Sequence, residues 1–232
     1  MAGGTSQNAL LELLQHVPEP LRSQVRLRLR KIHLKKSKTL VVEGSLSPEV
    51  FFLHEGSAEV TLCSDSGDEV RLRTIRSGAM FGELAILDGK PRSASVVALS
   101  DLVVDGMSSK DFMACLDSSP TAGIWLARQL VSSVRRLTEK VFELSALNVA
   151  MRVACELLRL ADEEGTRCSE GIEVRNAPTH DKLANSVGCN RVGVTKEISA
   201  LTKAKIISYE ERTLVIFNLD ALKRAATRGQ YF

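Results

Sequence analysis

Apolar residues fall first at helical spacing along this chain, then at strand spacing, then at helical spacing again. Over residues 8–25, Leu10, Leu11, Leu13, Leu14 and Val17, followed by Leu21 and Val25, predict a helix interrupted at Pro18 and Pro20. Across residues 32–104, short β-branched runs at 39–42, 50–53, 58–62, 70–75, 95–99 and 102–104 alternate with turn clusters at Glu43-Gly44-Ser45, His54-Glu55-Gly56 and Ser64-Asp65-Ser66-Gly67. Short strands at that spacing predict a sandwich or barrel with hairpin turns. The interval 82–92 fits poorly as a strand.

From Pro120 the period lengthens. Pro120 is tolerated in a first helical turn, with Ser118 or Ser119 available as its cap. Ala127, Leu130, Val131, Val134, Leu137, Thr138, Val141, Leu144 and Ser145 then recur at alternating steps of three and four. A seam of roughly 26 residues spans about 39 Å. That exceeds what a helix packed on a small β domain needs, and it predicts a second helix as partner. Thr138 is the polar member of the row, where Leu or Val would pack better. Asn148 can cap a new helix over 149–161 and marks the expected domain boundary, with an acidic turn at 162–165. The remainder reads as helix–helix–hairpin. Thr179 caps 182–187, Gly188-Cys189 turns, Asn190 caps 191–203, and strands follow at 206–209 and 213–217.

Composition narrows the class. A chain of 232 residues accommodates two domains, and 44% hydrophobic with 25% charged residues excludes collagen-like, disordered and disulfide-scaffold proteins. No apolar run approaches the roughly 20 residues needed to cross a bilayer, and the first residues lack a basic start followed by an apolar stretch. A cytoplasmic protein with no membrane partner is expected. Cys63, Cys115, Cys155, Cys168 and Cys189 are scattered and form no CxxC pair, so they read as reduced thiols without a zinc site. The net charge of +3 is too small to argue for nucleic acid by itself, and residues 1–148 and 149–232 carry only +1 and +2. A DNA-binding reading therefore rests on local arrangement.

The first such arrangement is Phe81-Gly82-Glu83-Leu84-Ala85-Ile86-Leu87-Asp88-Gly89-Lys90-Pro91-Arg92-Ser93-Ala94. Gly78 and Gly82 allow close backbone approach, and residues 83–87 can form a short helical turn whose first amides favour an anion. Arg92 offers a planar five-donor fork suited to a phosphate, and the Ser93 hydroxyl can add a bond. Glu83 can accept from a sugar hydroxyl. An anion with an attached polyol is the ligand these groups suit. The segment resembles the phosphate-binding cassette of cyclic nucleotide-binding domains, and the order of elements along the chain resembles the Crp/Fnr family. That resemblance implies an α+β architecture: an N-terminal β-roll over 1–118, a dimerisation helix and hinge over 119–147, and a C-terminal winged helix-turn-helix domain over 148–232. It implies that Gly82, Glu83 and Leu84, with Ala85, line a ribose, with Glu83 on the 2′-hydroxyl. Arg92 and Ser93, with Ala94, would hold the cyclic phosphate, and Thr138 would touch the base. Cyclic AMP is the expected ligand, and cyclic GMP remains open because a hydroxyl at position 93 also reaches a guanine amino group.

The second arrangement is a reading head at residues 180–203. At about 100° per residue, Arg191, Val192, Thr195, Lys196 and Ser199 share one side of a helix, and Val194, Ile198 and Leu201 share the other. Leu183, Ala184, Val187 and Gly188 supply a preceding helix and tight turn, so the pair reads as a helix-turn-helix whose second helix enters a major groove. Arg212, near the hairpin tip, belongs to a wing that can touch phosphates. The family's familiar pattern has Arg-Glu followed by Arg four positions after the Glu; here those positions hold Arg191, Val192 and Lys196. Arg191 keeps a bidentate contact to guanine, Val192 suits a thymine methyl, and Lys196 suits a phosphate. The expected partners are a two-fold symmetric double-stranded DNA operator, a second copy of the chain through the long helix, and RNA polymerase.

Other chemistries fare worse. An iron–sulfur sensor needs N-terminal cysteines, and none precedes Cys63. His33 or His54 could nominally ligate haem, but each stands alone on a strand. A metal-dependent enzyme on a cupin-like barrel needs paired histidines, and His16, His33, His54 and His180 show no such spacing. No catalytic residue, metal, haem or cluster is expected. The alternative within the same class is an effector-independent regulator with a vestigial pocket.

Overall fold

Alternation in the strand of residues 49–55 decides how the first part of the chain layers. Val50 and Phe52 point to one side and Phe51 and Leu53 to the other, and all four are buried. The structure, a computed structural model, describes residues 8–63 and 69–227, so the turn expected at 64–67 lies outside the described residues. The chain divides into two compact units, Met1–Ser133 and Val134–Phe232.

The first unit runs α1 (Ala9–Gln15), α2 (Leu21–Arg28), β1 (Arg30–Leu34), β2 (Thr39–Val41), β3 (Glu49–Glu55), β4 (Ser57–Cys63), β5 (Glu69–Arg76), β6 (Met80–Phe81), α3 (Glu83–Asp88), β7 (Ser95–Ala98), β8 (Leu102–Ser108), α4 (Ser109–Asp117) and the start of α5 (Pro120–Ala146). Two antiparallel sheets result, ordered β1-β8-β3-β6 and β2-β7-β4-β5. Phe51 and Leu53 join Val60, Ile75, Val96 and Val104 in the core that both sheets share. Val50 and Phe52 face a second core with Leu13, Leu14, Phe112, Trp125 and Leu126 from the helices. A strand covered on both faces reads as an unbroken apolar run, as 50–53 does. In the first turns of α5, Ala122, Trp125 and Leu126 are buried, and the Trp125 indole Nε1 donates to Glu12 Oε2 at 3.0 Å.

The second unit continues from the end of α5 through α6 (Val149–Glu164), β9 (Thr166–Cys168), β10 (Gly171–Val174), α7 (His180–Val187), α8 (Arg191–Lys203), β11 (Ile207–Glu210), β12 (Thr213–Ile216) and α9 (Leu219–Ala226). Its sheet is ordered β11-β12-β10-β9. Leu157, Val174, Leu183, Val194, Ile198, Leu214 and Leu222 meet in one core.

One expectation changes here. The acidic residues Asp162, Glu163 and Glu164 are helical, because α6 runs on to a cap at Gly165, whose amide reaches the Ala161 carbonyl. The compact units divide between residues 133 and 134, inside α5. The reason is a set of ties across the 147–148 break. Glu143, buried on α5, meets Arg159 of α6 at 2.6 Å, and Arg159 also pairs with Glu156. Arg152 of α6 donates to the carbonyls of Leu147 at 2.8 Å and Val187 at 2.6 Å. The segment expected to hinge, 145–149, thus lies between groups that fasten α5's end to α6.

Candidate functional site

In the first unit, β6 ends at Phe81, and Gly82 turns the chain into α3 with φ +86°. A Cβ on residue 82 would also stand 2.6 Å from Arg92 Nη1. Glycine is thus required for conformation and for space. Gly82→Ala is expected to cost about 1–3 kcal/mol in urea unfolding and to displace the Arg92 side chain; a wild-type unfolding midpoint would refute the strain. No side-chain hydrogen bond caps the start of α3.

Arg92 is only 3% exposed. Its Nη1 donates to the Gly82 carbonyl at 2.5 Å, and its Nη2 donates to the Glu49 carbonyl at 2.5 Å and to Ser47 Oγ at 3.1 Å. Its guanidinium lies 5.5 Å over the Phe51 ring. These bonds leave Nε–H, buried and without a hydrogen-bond partner. Burial lowers the Arg92 pKa from its ordinary value, and the nearby Glu49 and Glu83 carboxylates oppose that shift. Glu83 is itself buried, whereas Leu84 and Ser93 are exposed.

All seven cassette residues named from sequence, Gly82, Glu83, Leu84, Ala85, Arg92, Ser93 and Ala94, line one recess of about 430 Å³, part of it open solvent. Sequence reasoning missed its other walls: Val41, Val60, Phe81, Val96 and Arg73. Strand alternation alone shows which face a residue takes but not its neighbours, so only register could have found them. Thr138 belongs to the second unit, where it is exposed and its hydroxyl donates to the Val134 carbonyl at 3.0 Å. Along α5, Val131, Val134, Leu137, Val141 and Leu144 are all exposed, each more than two-fifths.

In the second unit the capping expectations hold. Thr179 Oγ1 accepts from the Lys182 amide at 3.3 Å and Asn190 Oδ1 from the Gly193 amide at 2.8 Å. Gly188 ends α7 at φ +64°, and a Cβ there would lie 2.8 Å from Leu144 Cδ2. Val194 and Ile198 are buried, which turns Arg191, Val192, Thr195, Lys196 and Ser199 outward; Val192 is 76% exposed. Arg191 lies 3.7 Å from Asp181 across the helix pair. Thr195 Oγ1 donates to the Arg191 carbonyl at 3.0 Å and sits 2.9 Å from His180 Nδ1. Arg212 stands at the hairpin tip, between β11 and β12. Its Nε and Nη2 turn back to the carbonyls of Ala177 and Asn176, both at 3.2 Å, and fasten the hairpin tip to the turn before α7.

Among the described residues, no group of His, Cys, Asp and Glu side chains could hold a metal ion, and no helix is long and apolar enough to cross a membrane.

Comparison with known proteins accounts for both units. Residues 31–119 match the cyclic nucleotide-binding domain, and residues 151–225 match the Crp-like helix-turn-helix domain. The chain is 29% identical over 189 residues to the cAMP-activated global transcriptional regulator CRP of Salmonella typhimurium, covering 80% of this chain and 89% of that protein. It is 24% identical over 195 residues to the global nitrogen regulator of Nostoc sp., covering 83% and 87%. Among solved structures, a CRP-family transcriptional regulator from Thermus thermophilus matches with a TM-score of 0.70 and 26% identity, covering 84% of this chain and 96% of that one. With a β-roll of the first kind followed by a reading head of the second, this chain belongs to the Crp/Fnr family of transcription regulators.

Proposed function

We propose that the protein is a homodimeric regulator gated by a 3′,5′-cyclic purine nucleotide, which favours binding to a palindromic operator. The observation that carries this reading is the buried Arg92, with an unpartnered Nε–H, sharing a recess with the Glu83 carboxylate and the Ser93 hydroxyl. A cationic donor, a hydroxyl and uncapped amides suit a cyclic phosphate, and a carboxylate suits the ribose 2′-hydroxyl. Arg92 and Ser93 take the phosphate, and Gly82, Glu83 and Leu84 the sugar, while Ala85 and Ala94 leave room for the ring. The Salmonella relative is described as cAMP-activated, which supports cyclic AMP as the ligand, and cyclic GMP has the same phosphate and sugar.

The exposed seam of α5 supports pairing with a second copy, with Thr138 reaching a bound base from that helix. Two copies present two α8 helices about 34 Å apart, one turn of DNA. Residues 1–118, 119–147 and 148–232 then divide the labour as ligand roll, dimer helix and DNA reader. Ligand and operator must raise each other's affinity by the same factor. RNA polymerase is the proposed onward partner of the DNA-bound dimer.

Within the operator, Arg191 reads a guanine and Val192 a thymine methyl. Val192→Glu is expected to move the preference at that step toward C·G by about 1–3 kcal/mol. Selection from a randomised operator pool checks this, and identical sites for both proteins would refute the assignment.

Titration calorimetry of the full-length protein with cyclic AMP and cyclic GMP, repeated with the selected operator, tests the whole reading. Binding that tightens when the operator is present supports it. A second reading, an effector-independent regulator, draws on the bonds that Arg92 already makes to the Gly82 and Glu49 carbonyls. No heat at millimolar nucleotide, with operator binding intact, would favour that reading.

A further inference from the structure

Beside the outward row of α8 stands a titratable ring whose tautomer the hydrogen bonds decide. His180, the first residue of α7, is half-buried and held from two sides. It meets the Tyr209 ring of β11 in a T-shaped contact, with centroids 5.4 Å apart, and its Nδ1 lies 2.9 Å from Thr195 Oγ1. A hydroxyl has one proton to donate. Thr195 donates it to the Arg191 carbonyl, so toward His180 it accepts, and the ring proton sits on Nδ1. Nε2, on the far side of the ring, has no hydrogen-bond partner among the described residues. In the neutral ring Nε2 is therefore a bare acceptor, unable to donate to an anion. Protonation supplies the Nε2–H and a positive charge together.

We infer that His180 binds an operator phosphate only as the imidazolium, so that each half-site takes up a proton and acid strengthens the complex. This rests on the operator reading proposed above and adds a proton to it. Imidazole ordinarily changes charge between about pH 5 and 8. A phosphate favours the charged form, so the ring holds its proton to higher pH in the complex than in the free protein. The gain is full at the acid end and is lost as pH rises through the titration range of the complex. The charged groups around the ring do not fix its state beforehand. Asp181 and Lys182 follow it on α7, and Arg191 and Lys196 stand beside Thr195 on α8. Asp181 and Arg191 lie 3.7 Å apart, a pair without net charge. Tyr209 stays a neutral phenol: burial raises its pKa, Arg212 and Glu164 act on it with opposite signs, and its hydroxyl donates to the Pro178 carbonyl.

The experiment is anisotropy of the full-length protein, with saturating cyclic AMP, on the selected operator across a series of salt concentrations. It runs from about pH 5.5 to 8.5, which brackets the imidazole range, and is repeated on His180→Gln and His180→Arg. Wild-type affinity is expected to fall roughly 10- to 100-fold from the acid to the alkaline end, since one charge-assisted contact is worth about tenfold or more and a dimer makes two. A phosphate contact also releases a counterion, so the slope of log K against log salt should be steeper at the acid end by about 0.9 per contact. His180→Gln keeps an N–H for Thr195 without a charge and should hold the weak affinity throughout. His180→Arg should hold the tight one. Thermal unfolding checks that each variant folds. A wild-type affinity that does not change with pH overturns the inference, and so does a pH response that persists in both variants. A response lost in the variants, but with one salt slope at both ends, places the proton in α7–α8 packing and overturns the phosphate contact. No operator binding by wild type at any pH overturns the operator reading itself.

Discussion

Replacing Arg92 by alanine should abolish nucleotide-stimulated operator binding and leave the dimer assembled. Truncating one partner of a buried, hydrogen-bonded charge pair costs about 2–5 kcal/mol, so nucleotide affinity should fall roughly 30- to 5,000-fold. Arg92→Lys should fall between, because an ammonium keeps the charge and loses the fork. The variant should also lose stability. Arg92 holds the Gly82 and Glu49 carbonyls, and leaving a buried acceptor bare costs about 1–3 kcal/mol each. Fluorescence anisotropy on a labelled operator, with and without nucleotide, measures the first effect, and urea unfolding without nucleotide measures the second. Operator affinity that still rises with nucleotide in Arg92→Ala would remove the phosphate role. A loss of stability without a loss of response would make Arg92 a structural tie for the 81–94 segment.

Leu137→Glu should convert the protein to monomers. Leu137 stands in the middle of the exposed row from Val131 to Leu144. In a two-fold pairing the change appears on both helices. Two buried leucines are lost, at about 1.5–3 kcal/mol each, and two carboxylates face each other across the seam. The dimer dissociation constant should rise by roughly 10²- to 10⁴-fold, read by sedimentation across a concentration series. Operator binding should weaken with it, since a monomer engages one half-site. A wild type that sediments as a monomer at all concentrations, or a variant that still pairs, would show that the α5 stripe is covered in some other way.

The two candidate sites differ in how far a linear reading reaches them. The α7–α8 pair was legible almost to the residue. Its caps are local, because Thr179 and Asn190 bond amides three residues ahead and Gly188 takes a left-handed turn within its own segment. The 81–94 segment was legible for the same reason, its recess-lining groups being gathered within fourteen consecutive positions. Elements without an apolar run or a strong period were not. Strand β1 alternates Arg30, Lys31, Ile32, His33 and Leu34 at a sheet edge, where only one face needs to be apolar. Strands β9 and β10, and helices α4 and α9, were missed because packing stabilises short polar segments that propensity alone does not single out. The acid-rich end of α6 read as a turn, although nothing in Asp162, Glu163 and Glu164 breaks a helix before Gly165.

Period and local capping, both properties of neighbouring residues, were enough to determine a segment of short strands joined by hairpin turns, a long helix bearing a seam, and a helix-turn-helix with a defined outward face. What Arg92 touches was decided only when β3 came beside the cassette and offered the Glu49 carbonyl. The recess walls Val41, Val96, Val60 and Arg73 come together only once four strands, far apart in sequence, take one register. The fastening of α5 to α6 likewise depends on Glu143 and Arg159 meeting across a break in the chain. Each of these is a contact between distant residues. Pairing register and burial are settled by the free energy of the whole packed unit, and no window of neighbouring residues carries that information.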